Sequence, residues 1–471
     1  MHLSRKVEPM KLILKQTIPL LIAATLCLTG CVPALDNSGL QSLTIPDQFS
    51  NAEKSVLDQE TILFEPELQQ FIHEALTRNY SLKAMVKNLD QVKALHRITK
   101  SDRYPHVQAD LSYNRTKSQL GLVDNSYISS EFKAGAQVSW EIDLWGKIRD
   151  RTNSSILEVE GSMMDLHAAR LSLACQIGQA WYQAITAQLL HDQAEEVSES
   201  FFATFKAVNE RYSNGLASGL DLSMAKTAYA DSKTTLQQTQ LDKQRSLLEL
   251  QVLAGLYPDS VIDLPESFPP RIPRVPLKVP ADLITKRPDI MALSRRLEAA
   301  GYSWRAVSKE RLPSITLSAS AGLSGDRTDT IFKGSNILWQ LIGGITQPVF
   351  EGGKLLAAAD AKEAAYQQLH FEFQHLLLNS FREVEEALYS TSVLQEQYKS
   401  AEETARLAES SWTLAKESYQ LGGTDVLTIL LNQRQHLQSQ TALITTQNLV
   451  FQNSIKLILA LGQGLPTGNV L

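Results

Sequence analysis

Cys31 is the residue whose surroundings most clearly indicate chemistry in this sequence. It follows an apolar run, residues 18–28, and two small residues, Thr29 and Gly30. A basic start, an apolar core of this length and small residues before a cleavage point are typical of a secretory signal peptide. The run is too short to cross a bilayer as a helix. We therefore predict that residues 1–30 are removed and that the Cys31 thiol is modified.

The motif Leu28-Thr-Gly-Cys31 resembles the lipobox of bacterial lipoproteins. The resemblance implies cleavage between Gly30 and Cys31, a diacylglycerol thioether on the cysteine sulfur and an acyl chain on the new amine; no other cofactor is expected. Val32 stands where many lipoproteins retained at the inner membrane have Asp, which favours the outer membrane. The alternatives are an ordinary signal peptide with accidental cysteines, and a start at Met10.

Sequence motifs for catalysis, nucleotide binding and metal binding are absent. Gly146-Lys147 and Gly353-Lys354 lack the upstream glycine and the following Ser or Thr of a phosphate-binding loop. No GxSxG or HExxH motif occurs, and the nine His residues do not pair at ligand spacing. The net charge of −6, from 45 basic and 51 acidic side chains, argues against a nucleic-acid partner. We predict that the protein is not an enzyme and holds no metal.

The chain contains a tandem repeat. Asn79-Tyr-Ser-Leu82 aligns with Arg287-Pro-Asp-Ile290 at an offset of 208 residues, and Gly255 aligns with Gly462 at 207. Seven of the 17 prolines lie between the halves, at 258–280, where they exclude a helix or a central strand. The predicted segments are an extended stretch at 31–65, a first repeat at 66–257, a proline-rich connector at 258–280 and a second repeat at 281–471.

Each repeat has the same predicted order of elements. A helix of about 30 residues comes first, at 66–103 and again at 281–310. A β-hairpin follows, at 106–144 and at 314–350. Two long helices come next in each repeat, and the first of them spans 147–211 in one repeat and 354–421 in the other. A helix over 147–211 would be roughly 95 Å long at ~1.5 Å per residue. Helices of this length pair as coiled coils or surround a tube rather than build a compact globule.

Strict alternation of apolar and polar residues marks the hairpins as membrane strands. Val138, Trp140 and Ile142 face one side of the strand before the first long helix. The opposite, polar side carries Gln137, Ser139, Glu141 and Asp143. Membrane β-barrels place apolar residues toward lipid, polar residues toward a lumen and aromatic residues at the interfaces, for which the candidates here are Trp140, Trp145, Trp339 and Phe350. Four strands cannot close a barrel, so several chains must contribute. The loops at the hairpin tips are predicted at 118–130 and 326–336.

Several motifs together resemble the TolC-like outer-membrane efflux channels, in their OprM/NodT lipoprotein branch. Besides the motif at Cys31, they are Trp140-Glu-Ile-Asp-Leu-Trp-Gly-Lys147, Gln347-Pro-Val-Phe-Glu-Gly-Gly-Lys354, Arg287-Pro-Asp-Ile290 and Arg211-Tyr-Ser-Asn-Gly215. The resemblance implies a mainly α protomer that trimerises into a 12-stranded transmembrane β-barrel with an α-helical periplasmic tunnel. It also implies two partners, a periplasmic membrane-fusion adaptor and an inner-membrane transporter of the RND, MFS or ABC type.

The resemblance implies a passive exit duct for small molecules such as drugs or other toxic compounds. A duct for polypeptides in type I secretion is the alternative within the same fold. A lipid-anchored periplasmic coiled-coil scaffold is a more distant alternative, which leaves the alternating strands unexplained. The sequence does not identify the substrate.

Two glycine turns between long helices are the predicted periplasmic entrance of the tunnel. The first turn carries Arg211, Tyr212 and Asp221, and the second carries Tyr419 and Asp425. In the family that the sequence resembles, helix ends close the tunnel here and the adaptor docks. Asp425 is the stronger gate candidate, because threefold symmetry would turn this acid into a ring of three. Closure of such a ring would need partners, and Tyr212, Tyr419 and Arg211 are near enough in the turns to supply hydrogen bonds. The simpler interpretation is that both aspartates are helix N-caps.

Overall fold

A computed structural model of the chain describes residues 65–119, 126–270, 281–326 and 337–462. The helices and strands follow the predicted order, once in each repeat. The first repeat contains α1 (Pro66–Arg78), α2 (Tyr80–Ser101), β1 (His106–Gln119), β2 (Ser126–Ile142), α3 (Lys147–Ser213) and α4 (Gly219–Leu253). The second contains a 3-10 turn (Ala281–Lys286), α5 (Pro288–Ser308), a 3-10 turn (Lys309–Arg311), β3 (Ser314–Gly325), β4 (Ile337–Thr346), α6 (Lys354–Gln420) and α7 (Val426–Leu461).

The first helix of each repeat is broken, so the prediction of a single helix over 66–103 and over 281–310 was wrong. Asn79 is extended, with φ −61° and ψ 125°, and its side-chain oxygen accepts a hydrogen bond from the N–H of Leu82 at 3.1 Å. Asn79 therefore ends α1 and caps α2. In the second repeat Arg287 precedes Pro288, and a residue before proline is biased away from helix.

The long helices agree with the sequence analysis. Helices α3 and α6 contain 67 residues each and end within two residues of the predicted bounds. Since neither stretch contains proline, nothing in the backbone chemistry interrupts them. None of the described helices is apolar enough over a sufficient length to cross a membrane.

The hairpin loops differ from the prediction. Residues 118–119 and 126–130 belong to strands β1 and β2, so the predicted loop at 118–130 is too long. Residues 120–125 and 327–336 lie outside the described residues. Strand β4 ends at Thr346 rather than at 350, because Pro348 has no N–H to continue the ladder.

The described residues form two compact units. The sheet unit contains residues 90–161 and 294–372, and the helical unit contains residues up to 89, 162–293 and 373 onward. The core of the helical unit includes an aromatic stack in which the Phe451 ring lies 4.6 Å from Tyr182 and 5.4 Å from Phe268, between ring centroids. Phe268 belongs to the proline-rich connector, so this stack attaches the described part of the connector to the helices.

Candidate functional site: the amphipathic sheet and the helical turns

The four strands form one antiparallel sheet in the order β1-β2-β3-β4. The register places the apolar residues of neighbouring strands opposite one another. One row across the sheet is Val107, Val138, Ala319 and Leu341, and the next is Ala109, Ala136, Ala321 and Trp339. Because side chains alternate along a strand, these rows share one face. The sheet is therefore apolar on the face that the sequence predicted.

The opposite face of the sheet is mostly polar. One row across it is Gln108, Gln137, Ser320 and Gln340. Ser139 pairs with His106 on β1 and with Ser318 on β3. Strand β4 departs from this pattern, since Leu338 and Ile342 share the face of Gln340. This departure explains why its alternation is weak in the sequence.

Asp143 does not belong to the polar face of the strand, contrary to the sequence prediction. Strand β2 ends at Ile142, and the Asp143 carboxylate accepts hydrogen bonds from the N–H groups of Ile148 at 3.0 Å and Arg149 at 2.7 Å. Backbone N–H groups at the start of a helix have no partner within the helix and favour a carboxylate. Asp143 therefore fixes the start of α3 directly after the strand.

Indole N–H groups join the strand ends to neighbouring segments. Trp140, at the end of β2, donates to the carbonyl of Arg103 at 3.1 Å, and Trp145 donates to the carbonyl of Pro313 at 2.7 Å. Trp339 and Phe350 are exposed, at 78% and 89%. The four predicted interface aromatics therefore differ. Trp140 and Trp145 are held by hydrogen bonds where strand β2 leads into helix α3, whereas the rings of Trp339 and Phe350 are exposed.

A group of ion pairs beside the sheet was missed by the sequence analysis. Lys309 pairs with Asp150 at 2.6 Å, and both side chains are largely buried. Arg151 pairs with Glu310, while Lys147 pairs with Glu141 on the polar face of β2. The first two pairs join the start of α3 to the turn that precedes β3, and the third joins it to strand β2. Since the partners lie more than 150 residues apart in two cases, local sequence patterns give no signal for them.

Arg211 links the two glycine turns of the helical unit. Its guanidinium lies 5.0 Å from the centre of the Tyr419 ring, a cation–π geometry, and Nη1 is 3.5 Å from the Tyr419 carbonyl oxygen. Ser418 of the second turn aligns with Arg211 of the first at an offset of 207, so the second turn has no Arg at this position, and Arg211 reaches it from the first turn.

Tyr419 is buried, whereas Tyr212 is 45% exposed. The Tyr419 hydroxyl has no hydrogen-bond partner among the described residues, so the expected bond from this group is not formed there. Burial raises the pKa of Tyr419, and the charge of Asp221 raises it further against the opposing effect of Arg211. The ring and the backbone of Tyr419, rather than its hydroxyl, therefore make its contacts with the first turn.

The two aspartates of the turns stabilise helix starts in different ways. Asp425 is the N-cap of α7 and accepts from the N–H of Thr428 at 2.8 Å. Hydrogen bonds from the Thr428 side chain and backbone lower the pKa of Asp425 below its ordinary value. Asp221 is the third helical residue of α4, in a capping box whose N-cap is Ser218. The simple N-cap interpretation thus holds for Asp425 and is wrong for Asp221.

Leucines at the two turns are exposed, and no sequence motif indicated a role for them. Leu216 and Leu220 are each 69% exposed, and Leu421 is 88% exposed. Leu220 and Leu427 are repeat equivalents, at an offset of 207. The alignment of the repeats was the available signal, because it places an apolar residue at the start of both α4 and α7.

A two-repeat, mainly helical protomer with one amphipathic four-stranded sheet is the architecture of an outer-membrane channel subunit. The family model for outer membrane efflux proteins matches residues 71–256 and 279–463. The chain therefore belongs to the outer membrane efflux protein family, and the resemblance predicted from its motifs is confirmed.

Named relatives and solved structures agree with this assignment. Outer membrane protein OprJ of Pseudomonas aeruginosa is 27% identical over 96% of this chain and 96% of its own length. Solvent efflux pump outer membrane protein SrpC of Pseudomonas putida is 27% identical over 85% of this chain and 86% of its own. The fold is similar to the Campylobacter jejuni CmeC outer membrane channel, with a TM-score of 0.80 and 22% identity over 91% of this chain and 95% of that one. It is equally similar to the open Neisseria gonorrhoeae MtrE channel, with a TM-score of 0.80 and 23% identity over 90% and 96%.

Proposed function

We propose that the protein is the outer-membrane exit channel of a tripartite efflux pump and carries small molecules. The observation that supports this most strongly is the single sheet with one apolar face, one mostly polar face and two outer strands, β1 and β4. An outer strand with unpaired backbone groups is not tolerated in lipid, so these edges must be paired by other chains.

Three copies satisfy this requirement. Joining β4 of each copy to β1 of the next gives twelve strands with no free edge, and an even strand number is the rule for bacterial barrels. The apolar rows then face lipid, and the row with Gln108, Gln137 and Gln340 lines a water-filled lumen. The long helices of the three copies form the periplasmic tunnel, which meets a membrane-fusion adaptor and an inner-membrane transporter of the RND, MFS or ABC type.

The names of the relatives support small molecules as the cargo. The relatives include a solvent efflux protein, a toluene efflux protein and an antibiotic efflux protein of Pseudomonas putida. The protein itself is a passive duct without catalysis, because the transporter supplies the energy.

A lipid anchor on Cys31 is part of the proposal, although Cys31 and Gly30 lie outside the described residues. The supporting observation is the motif Leu28-Thr-Gly-Cys31 after an apolar core. Mass spectrometry of the mature N-terminus should find cleavage after Gly30 and an acylated Cys31. An unmodified N-terminus that begins elsewhere would contradict the anchor and leave the channel proposal intact.

The glycine turns are the proposed periplasmic gate. Asp425 and Asp221 each contribute one acid per chain, so a trimer has two rings of three acids. Arg211 and Tyr419 hold the two turns of one chain together, and Tyr212 remains exposed beside them. Mutual repulsion within the acid rings opposes closure, and the contact between Arg211 and Tyr419 favours it.

The orientation of the sheet can be tested with one pair of neighbouring substitutions. Val138→Arg places a charge on the lipid face and should cost about 2–4 kcal/mol of barrel stability if it lies near mid-bilayer. Ser139→Arg places the same charge in the lumen and should mainly change conductance in planar bilayers. If both variants lose assembly to the same extent, the apolar face does not face lipid.

The function itself is tested in a strain that lacks the gene. Plasmid-borne protein should restore tolerance to organic solvents or antibiotics and lower their accumulation in the cell. Restored secretion of a polypeptide without any change in small-molecule tolerance would contradict the proposal and favour the type I secretion duct.

A further inference from the structure

The β1–β2 hairpin extends beyond the four-stranded part of the sheet. Phe132 pairs with Gly325 at the last position shared by β2 and β3. From there toward Ser126, β2 pairs with β1 alone, up to the pair of Ser126 with Gln119. The first repeat therefore sends a two-stranded ribbon past the level at which β3 ends.

Aromatic residues mark both ends of the apolar band on the lipid-facing side of β2. Trp140 lies at one end, and Phe132 lies eight residues away with its ring 4.5 Å from that of Tyr113, between centroids. Eight residues span about 26 Å along a strand, which is about 20 Å of height at a barrel tilt of about 40°. Membrane barrels carry an apolar band about 25 Å tall between two aromatic girdles. Tyr113 and Phe132 therefore mark the girdle on the hairpin side.

Two basic residues lie on the same face just past this girdle. Arg115 pairs in register with Ser130, and Lys117 pairs with Ile128. They are two and four residues beyond Tyr113, or about 7 and 13 Å along the strand, which is headgroup depth in a bilayer. Both side chains are exposed, and neither has an ion-pair or hydrogen-bond partner among the described residues.

We propose that Arg115 and Lys117 bind the phosphate-bearing headgroups of the lipids that surround the barrel. The inference rests on the proposed insertion of the sheet in the outer membrane. Arginine offers paired N–H donors that match phosphate oxygens, and lysine adds a mobile charge on a long stem.

The surroundings of the two cations favour a lipid over a phosphate ion in solution. Leu111 and Tyr113 lie below Arg115 on the same face and are exposed, and Ile128 lies beside Lys117. A lipid places its acyl chains on these apolar side chains while its phosphate meets the cations. A free phosphate gains nothing from the apolar surface.

The test uses the full-length trimer in a zwitterionic detergent, titrated with diphosphorylated lipid A and with the same lipid after its phosphates are removed. Native mass spectrometry counts the bound lipid. Each basic group near an anionic lipid surface contributes about a fivefold gain in binding. Arg115→Gln and Lys117→Gln should therefore each weaken binding of the phosphorylated lipid about fivefold, and the double variant about 25-fold.

Lys133→Gln is the matched control. Lys133 pairs in register with Ser112, about 10 Å along the strand from Arg115, and it lies on the polar face of the sheet and contacts Glu131 at 3.0 Å. Its removal should leave lipid binding unchanged. A double variant that binds like the wild type would overturn the proposal, as would equal binding of the two lipids by the wild type. If millimolar inorganic phosphate displaces the lipid, the two cations bind free phosphate and the proposal of a lipid ligand is wrong.

Conductance separates this inference from the proposed function. The single and double variants at Arg115 and Lys117 should form channels of wild-type conductance in planar bilayers, because both side chains lie on the lipid-facing side of the sheet and not in the pore. A wild-type trimer that binds phosphorylated lipid selectively but conducts no ions would contradict the proposed channel function and leave the proposed lipid-binding site intact.

Discussion

Asn79 and Arg287 occupy equivalent positions in the two repeats and make equivalent contacts. The Asn79 side-chain amide donates to the carbonyl of Leu253 at 2.9 Å, and the Arg287 guanidinium donates to the carbonyl of Ala460 at 3.0 Å. Both carbonyls lie in the last turn of a helix, where backbone oxygens lack partners within the helix. In each repeat, the residue at the break before the second helix thus caps the helix that ends the repeat.

Arg287 makes contacts that Asn79 does not make, because its side chain is charged and forms ion pairs. Its side chain is 7% exposed and contacts Asp289 and Glu383, each at 2.8 Å. Burial alone would lower the pKa of Arg287, but the hydrogen bonds and charges of these two acids raise it above its ordinary value. The guanidinium therefore stays charged and holds α5, α6 and α7 of the helical unit together.

Arg287→Met should destabilise the helical unit by about 3 kcal/mol, since it leaves two acids and a helix end without their partner. The measurement is the urea midpoint of the helical circular dichroism signal. Arg382→Met is the control, because Arg382 and Glu386 form a pair that is 61% and 63% exposed in its side chains. The control should cost no more than about 0.5 kcal/mol. Equal losses of stability in the two variants would mean that the buried contacts of Arg287 stabilise the helical unit no more than an exposed ion pair does.

Two glycines that follow helix ends allow the stability cost of backbone strain to be measured apart from the cost of steric crowding. Gly462 has φ +66° and Gly422 has φ +76°, in the left-handed region. A Cβ on Gly462 would come within 2.9 Å of Arg287 Cα, whereas a Cβ on Gly422 would meet nothing within 4 Å. Gly422→Ala should cost about 1 kcal/mol from the backbone alone, and Gly462→Ala should cost clearly more. Equal urea midpoints for the two variants would contradict the close approach of Gly462 to Arg287.

Tyr419 should tolerate loss of its hydroxyl but not of its ring. Tyr419→Phe removes a buried group that has no partner among the described residues, so stability should stay the same or rise by up to about 1 kcal/mol. Tyr419→Leu removes the surface over which Arg211 lies and should increase single-channel conductance by loosening the turns. If Tyr419→Phe opens the channel as much as Tyr419→Leu does, the hydroxyl and not the ring closes the gate.

Asp425→Ala should weaken cation preference and the block of the channel by multivalent cations in planar bilayers. Its cap contribution is fully present above the ordinary pKa of an Asp and is lost only as the pH falls through its lowered pKa. Asp425→Asn separates the two roles, because Asn retains a capping oxygen without the charge. The proposed gate predicts that Asn and Ala impair selectivity alike while Asn keeps stability. Unchanged selectivity and block in trimers that assemble normally would reduce Asp425 to a helix cap.

The sequence predicted the parts of the fold that depend on local patterns. The long helices α3 and α6 need only an uninterrupted helical sequence, and both were found within two residues. Alternation also located strand β2, although the strand begins at Ser126, inside the predicted loop at 118–130. The break at Asn79 was missed because one of the contacts that hold it, from the Asn79 side-chain amide to the Leu253 carbonyl, joins residues 174 positions apart. Asp143 was misplaced because alternation continues past Ile142 although the backbone already turns toward α3. The contact between Arg211 and Tyr419 joins two turns, and no pattern within either turn reveals it.

Disulfide cross-linking between β1 and β4 tests the central claim, a barrel closed by three copies. In one sheet these strands are three spacings apart, or about 14 Å, which exceeds the Cα separation of about 7 Å that a disulfide can span. Ala109→Cys is combined in turn with Trp339→Cys, Leu341→Cys and Gly343→Cys, all on the apolar face. The control, Ala109→Cys with Ala136→Cys, joins residues paired within one chain and should remain a monomer on a denaturing gel. A barrel closed by three copies should give covalent dimers and trimers and nothing larger for at least one of the three combinations. Monomers alone for all three, or a ladder that continues beyond three chains, would contradict it.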